Sequence, residues 1–238
     1  MLEILVVGSG TGVGKTFVTR LLVRGLRALS RRVWVHKPIA CGGWDGERTE
    51  DGRLLADVAG DQQPPGLVCP LQFPTPAAPA LAAQLAGATV TVAQLRAQLE
   101  RCRGDHDLVV EGAGGILSPL SSDRLGILAV LSGSGIPAVV VCTASLGTLN
   151  ATALTCREAR REGQPLVGLI LNQEVPPDGS VAQEHAAEEL CTLTGLPVLA
   201  TVGHAREDGA QARALAEVVL AAVRAMPLAA TPQRGVRS

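Results

Sequence analysis

A chain of 238 residues with 47% hydrophobic and 18% charged residues carries ample material for a buried core and is unlike a disordered sequence. A net charge of -1 leaves no electrostatic footprint for DNA or anionic lipid, and 2% aromatic residues with no Tyr argue against a surface that stacks single-stranded bases. A small-molecule partner is the expectation that remains.

The chain opens with a mostly apolar run at 2–7, interrupted by Glu3, that has no basic region before it and is too short for a signal segment. It reads as a strand. Gly8-Ser9-Gly10-Thr11-Gly12-Val13-Gly14-Lys15-Thr16 follows, and an amphipathic helix is predicted over 14–30. Glycines let backbone N–H groups turn toward phosphate oxygens, and the start of the helix adds partial positive charge. In such a loop Lys15 reaches the β and γ phosphates and the Thr16 hydroxyl takes magnesium. A dinucleotide fingerprint fails at either register, because Val13 or Lys15 stands where the third glycine is needed. The loop is one residue longer than the standard phosphate loop, with five residues between Gly8 and Gly14.

A second strand at 33–36 ends in Lys37-Pro38-Ile39-Ala40-Cys41-Gly42. Two readings stand for Lys37: a solvated surface cation, or one that faces the γ-phosphate beside the loop. Asp51 opens a helix at 51–59 and by itself reads as a favourable N-terminal charge. Residues 62–95 contain no charge and six prolines, so a long irregular connection is expected, with a short helix near 78–86. Connections of that length are usually functional or disordered.

After a helix at 91–102 comes a strand at 108–110 that ends in Glu111-Gly112-Ala113-Gly114-Gly115. A carboxylate there is the usual second magnesium contact of a phosphate-loop enzyme, and the glycines allow close approach to a nucleotide. No charge appears between Arg124 and Arg157, yet glycines and Pro137 interrupt that stretch. A helix at 123–132 and a buried parallel strand at 138–142 explain it better than a membrane span.

Ser145-Leu146-Gly147-Thr148-Leu149-Asn150 then leads into a helix at 149–163, whose start is either an ordinary cap or a seat for a carboxylate. A strand at 166–171 ends in Asn172-Gln173, where an amide suits either adenine or a turn. A helix at 180–193, a strand at 198–202 and a helix at 208–225 complete the pattern. Alternating strands and helices imply a single domain, residues 1–225, with a doubly wound, mostly parallel sheet of the P-loop NTPase type flanked by helices. Residues 226–238 read as a flexible tail. The six cysteines form no C-x-x-C pair and make no zinc spacing with the four histidines, which fits a reducing cytosol.

Taken together, these pieces resemble the dethiobiotin synthetase family. The likeness rests on the long Gly8-to-Gly14 step before Lys15-Thr16, Lys37-Pro38 with Cys41-Gly42, Asp51, Glu111-Gly112-Ala113-Gly114-Gly115, Pro119-Leu120, Gly147-Thr148-Leu149-Asn150 and Asn172, in order over about residues 1–175. The resemblance implies a cytoplasmic, magnesium-requiring homodimer that closes a ureido ring on 7,8-diaminononanoate with carbon dioxide and ATP. Nucleotide contacts would come from Gly12, Val13, Gly14, Lys15, Thr16, Phe17, Asp51, Glu111, Gly112, Ala113, Gly114, Asn172 and Gln173. Thr16, Asp51 and Glu111 would hold the metal, and Lys15 and Lys37 would stabilise the reacting groups. Thr11, Lys37 and Cys41 would touch the diamine, and Gly147, Thr148, Leu149 and Asn150 of the second subunit would receive its carboxylate.

Three departures from the family pattern stand out. Gly10 stands where Asp is usual, Cys41 where Ser is common, and Gly203-His204 where Pro and an aromatic are frequent. The alternative from a different class is a partition or cell-division ATPase. Those loops carry an extra lysine near their start, where this chain has Ser9.

Overall fold

The structure, a computed structural model, describes residues 1–173, 180–203 and 209–226. Strand β1 (Glu3–Gly8) runs through the glycine loop into α1 (Lys15–Ala28), followed by β2 (Val33–His36), β3 (Ile39–Cys41) and α2 (Glu50–Ala59). A 3-10 turn at Gly60–Gln62 precedes α3 (Pro65–Val68), β4 (Leu71–Phe73), α4 (Pro79–Leu85) and α5 (Val92–Cys102). Then come β5 (Asp107–Glu111), α6 (Ile127–Leu131), β6 (Ala138–Thr143), α7 (Thr148–Arg161), β7 (Leu166–Gln173), α8 (Val181–Thr194), β8 (Val198–Gly203) and α9 (Gly209–Ala225).

Six strands pair in parallel in the order β2-β5-β1-β6-β7-β8. Successive side chains of a strand point to opposite faces, so each strand feeds two cores. Ile4 and Val6 of β1 pack with Leu22 of α1, Leu55 of α2 and Val219 of α9. Leu5 and Val7 belong to the opposite core, with Leu99 of α5, Ile127 of α6 and Cys156 of α7. Burial on both faces explains why residues 4–7 of β1 and 138–142 of β6 read as unbroken apolar runs. The chain builds outward from β1 first toward β2 and then toward β8, which places a crevice at the carboxyl end of β1.

Edge strand β2 is finished by a side chain. Val35 N donates to Gln63 Oε1 (2.8 Å), and Gln63 Nε2 donates to Val35 O (2.7 Å), so one carboxamide imitates a neighbouring strand. Beyond it, Lys37 N donates to Val68 O (2.8 Å) and the His36 ring bonds Leu67 O (2.9 Å). The segment after α2 therefore orients the end of β2.

Two expectations from the sequence are corrected here. Residues 62–95 are not an irregular connection around one helix. They hold α3, β4, α4 and the start of α5, and β4 pairs in parallel with β3, a three-residue strand that the sequence reading passed over. Three-residue strands carry too little periodicity to be seen locally. The helix expected at 123–132 shrinks to Ile127–Leu131, because Leu120 N and Ser121 N both bond Leu125 O across a tight turn, with Arg124 at φ 61°. The expected tail lies outside the described residues, apart from its first residue.

Candidate active site

The glycine loop turns at Gly12 (φ 76°) and Gly14 (φ 87°), left-handed conformations that Gly adopts without strain. Gly14 is the residue that caps α1, and its carbonyl accepts the first helical bond, from Val18 N (3.0 Å). Lys15 folds back so that Nζ donates to Gly10 O (2.9 Å), closing the loop as a ring. Its side chain is buried. Burial first, and the nearby Lys37 charge second, bring its pKa down to about 8.

Three strand ends and one helix start meet beside this loop. The Thr16 hydroxyl lies 2.8 Å from Asp51 Oδ1 and 2.7 Å from Glu111 Oε1. Lys37 Nζ donates to Glu111 Oε1 (2.7 Å) and to Asp51 Oδ2. Lys37 is 3% exposed, Glu111 0% and Asp51 39%, so the cation is enclosed while one carboxylate still faces the opening. Burial alone would depress Lys37, but Glu111 and Asp51 outweigh it and hold its ammonium firmly charged. Burial would likewise raise Asp51, and Lys37 outweighs it and holds that carboxyl below its usual range.

The donor set has a definite chemical character. A hydroxyl has one proton and cannot donate to two carboxylates at once. Glu111 Oε2 is buried with no hydrogen-bond partner among the described residues. Two carboxylates and a hydroxyl, with an oxygen to spare, suit a hard divalent cation that completes its shell with water and phosphate oxygens. Among the described residues no group of three or more His, Cys, Asp or Glu could hold a metal ion; this site brings together two carboxylates and a hydroxyl.

A cleft of about 670 Å³ opens over these groups. Of the residues singled out from the sequence, its wall contains Thr11, Gly12, Gly14, Lys15, Thr16, Lys37, Cys41, Asp51, Ala113 and Gly114. Glu111 lies beneath, in contact with Thr16 and Lys37. The Cys41 thiol is pushed up to about 11 by burial and stays neutral at pH 7. The sequence reading missed Ala40, Glu50, Leu54, Pro76, Ala77, Ala78, Pro79 and Ser118 on the same wall. For the stretch at 76–79, the prolines at 74, 76 and 79 are the local signal.

Other singled-out residues stand outside the wall. Phe17 is buried in the core beneath α1. Asn172, at the end of β7, donates through Nδ2 to Val13 O (3.1 Å) and so braces the glycine loop from behind. Gly112 follows β5 with its N–H bonded to Val6 O (2.9 Å), and Gln173 ends β7. Gly147, Thr148, Leu149 and Asn150 form the start of α7, with Gly147 at φ 93° and the adjoining Leu146 93% exposed. The Gly203-His204 departure runs from the last residue of β8 to a position outside the described residues.

A family model described as an AAA domain matches residues 3–210. Curated proteins named ATP-dependent dethiobiotin synthetase are similar over nearly the whole chain. That of Anaeromyxobacter dehalogenans is 37% identical over 94% of this chain and 99% of its own length. That of Bacillus subtilis is 34% identical over 82% of this chain and 84% of its own. Among solved structures, the cell-division ATPase MinD of Pyrococcus furiosus has a TM-score of 0.57 at 16% identity, covering 93% of this chain and 99% of its own. A ParA family ATPase of Chlorobium tepidum has a TM-score of 0.54 at 14% identity, covering 94% of each chain. At those identities the two solved structures are alike in fold alone.

Proposed function

This chain belongs to the ATP-dependent dethiobiotin synthetase family, and we propose that it closes the ureido ring of dethiobiotin from 7,8-diaminononanoate, carbon dioxide and ATP, with magnesium, in biotin biosynthesis. The observation that carries this reading within the structure is Lys37. It is a buried ammonium held on Asp51 and Glu111 that lines the same cleft as the phosphate loop.

In this reading one amine of the diamine takes up carbon dioxide as a carbamate. A carbamate oxygen attacks the γ-phosphorus, and the bond to ADP breaks. The second amine then attacks the carbonyl carbon of the mixed anhydride. Inorganic phosphate leaves with the bonding electrons, the amine proton is lost, and the ring closes.

The chain's own part is positioning and charge. Lys15 and the amides after Gly12 receive phosphate oxygens, and Lys37 stands where negative charge shifts from carbamate to phosphoryl group. Thr16, Asp51 and Glu111 hold magnesium, which when bound neutralises phosphate charge. Leu54 and residues 76–79 give the cleft an apolar wall suited to an alkyl chain. The start of α7 in a second subunit would receive the far carboxylate, so a homodimer belongs to this reading, as does a cytoplasmic site of action. Among the described residues no helix is long and apolar enough to cross a membrane.

The test is incubation of the protein with 7,8-diaminononanoate, bicarbonate, ATP and magnesium, with dethiobiotin followed by mass spectrometry. A product peak that requires both ATP and the diamine is expected. ATP hydrolysis without product, stimulated by a protein or by DNA, would sink the proposal in favour of a partition-type ATPase.

A further inference from the structure

On the reading of the cleft as a magnesium–nucleotide site, we propose that Gln72 is a positioning residue for the metal. Its carboxamide locks the first turn of α2 to β4, and that lock sets where Asp51 presents its carboxylate.

Asp51 sits in the first turn of α2, so its place depends on how that turn is held. Thr49 is the residue that caps the helix, and its hydroxyl oxygen accepts from Gly52 N (3.1 Å). The same hydroxyl donates to Gln72 Oε1 (2.8 Å), and Thr49 N donates to that oxygen too (2.9 Å). The other end of the carboxamide, Nε2, donates to Cys69 O (3.1 Å). Each end therefore meets groups of the complementary kind, and a flipped amide would set N–H against N–H. Thr49 is 1% exposed, so water cannot substitute easily for these bonds.

Gly52 supplies independent support. A Cβ there would run into the Gln72 carboxamide, so the turn that carries Asp51 lies hard against it. The lock also spans two parts of the cleft. Gln72 is paired with Ala40 in the β3–β4 ladder, next to Cys41, and β4 leads directly toward the wall at 76–79. A group that fixes a metal carboxylate without touching the metal typically contributes ten- to a hundredfold to metal affinity.

The experiment is a calorimetric titration of Mn2+ into the full chain with saturating ADP, paired with ADP titrations in EDTA. Mn2+ serves as the oxygen-seeking probe. Gln72→Met and Gly52→Ala are expected to weaken Mn2+ binding about tenfold or more, with ADP affinity in EDTA within about twofold of wild type. In the metal-free protein, the Gly52 amide should exchange faster in Gln72→Met. Thr49→Val should reproduce the loss, whereas Thr49→Ser, which keeps the hydroxyl, should not. That second pair carries the comparison if Gln72→Met does not fold.

Unchanged Mn2+ affinity in these variants overturns the inference. So does a loss of metal-free ADP affinity that matches the loss for Mn2+, since that marks general damage. A wild-type protein whose Mn2+ binding is indifferent to ADP overturns the metal–nucleotide reading itself, and this inference with it.

Discussion

Lys37 Nζ lies 2.7 Å from Glu111 Oε1, although the two residues are 74 positions apart, and their side chains are only 3% and 0% exposed. Each side chain is the other's main compensation for leaving water. Removing one member of a buried pair typically costs about 3–5 kcal/mol, because the survivor is left charged and unpaired.

Lys37→Ala should therefore do two separable things. Turnover should collapse while ATP binding is largely kept, since the loop and Lys15 remain. The folded state should also lose roughly 3–5 kcal/mol from the stranded Glu111 and Asp51. Urea unfolding with and without magnesium-ADP checks the second effect, and unchanged turnover in the folded fraction would refute the first.

Glu111→Gln keeps the volume but removes a charge and half of the oxygen donors. At the proposed metal site the magnesium requirement for turnover should rise about tenfold or more, since even partners that only orient a metal ligand are worth ten- to a hundredfold. Lys37 keeps its contact with Asp51, so the variant should still fold. A variant with wild-type magnesium dependence would take Glu111 out of the metal site.

With Lys15 on the phosphates, as proposed, its pKa of about 8 should give nucleotide binding a defined pH dependence. Below about pH 7 the ammonium is already present and Lys15 contributes no slope. Above 8 the free protein loses the proton, phosphate favours its return, and binding must take one up. ADP affinity should then fall with rising pH, by at most about tenfold per unit. Calorimetry in buffers of different ionisation enthalpy should show proton uptake at pH 9 and little at pH 6.5. Lys15 and Lys37 are the two lysines of a chain with 19 arginines, so lysine-selective labelling yields two side-chain signals to follow.

His36 makes the fold sensitive to acid. Its ring is fully buried, Nδ1 is within bonding distance of Leu67 O, and burial lowers its pKa to about 4. The unfolded chain takes up a proton near pH 6.5 and the folded one does not, so stability falls as pH drops from 6.5 toward 4. At about 1.4 kcal/mol per unit, His36 accounts for roughly 3 kcal/mol of that loss. His36→Leu should flatten this part of the profile in denaturant melts, and an unchanged slope would assign it to other groups.

The order strand, glycine loop, helix, and the acids and lysine after later apolar runs, are set within stretches of a few residues. Glycine conformations and apolar periodicity act at that range, so the phosphate loop and the strand-end position of Glu111 are legible in the sequence, whereas Lys37 by itself leaves a surface cation and a phosphate partner equally open. Parallel pairing then requires the carboxyl ends of β1, β2 and β5 to lie side by side, which brings those residues together. Asp51 was different. In isolation it is a helix-start charge, and its contact with Thr16 exists only because α2 packs where it does.

The same holds for the burial of Lys37, the strand order, the β3–β4 pair, and the carboxamides of Gln63 and Gln72. None of these leaves a periodic trace: the strand order and the β3–β4 pair depend on long-range backbone pairing, and the Lys37, Gln63 and Gln72 contacts reach across as many as 74 residues. Which donor meets which acceptor over that distance is decided by how the helices and strands pack, and only the tertiary structure determines it.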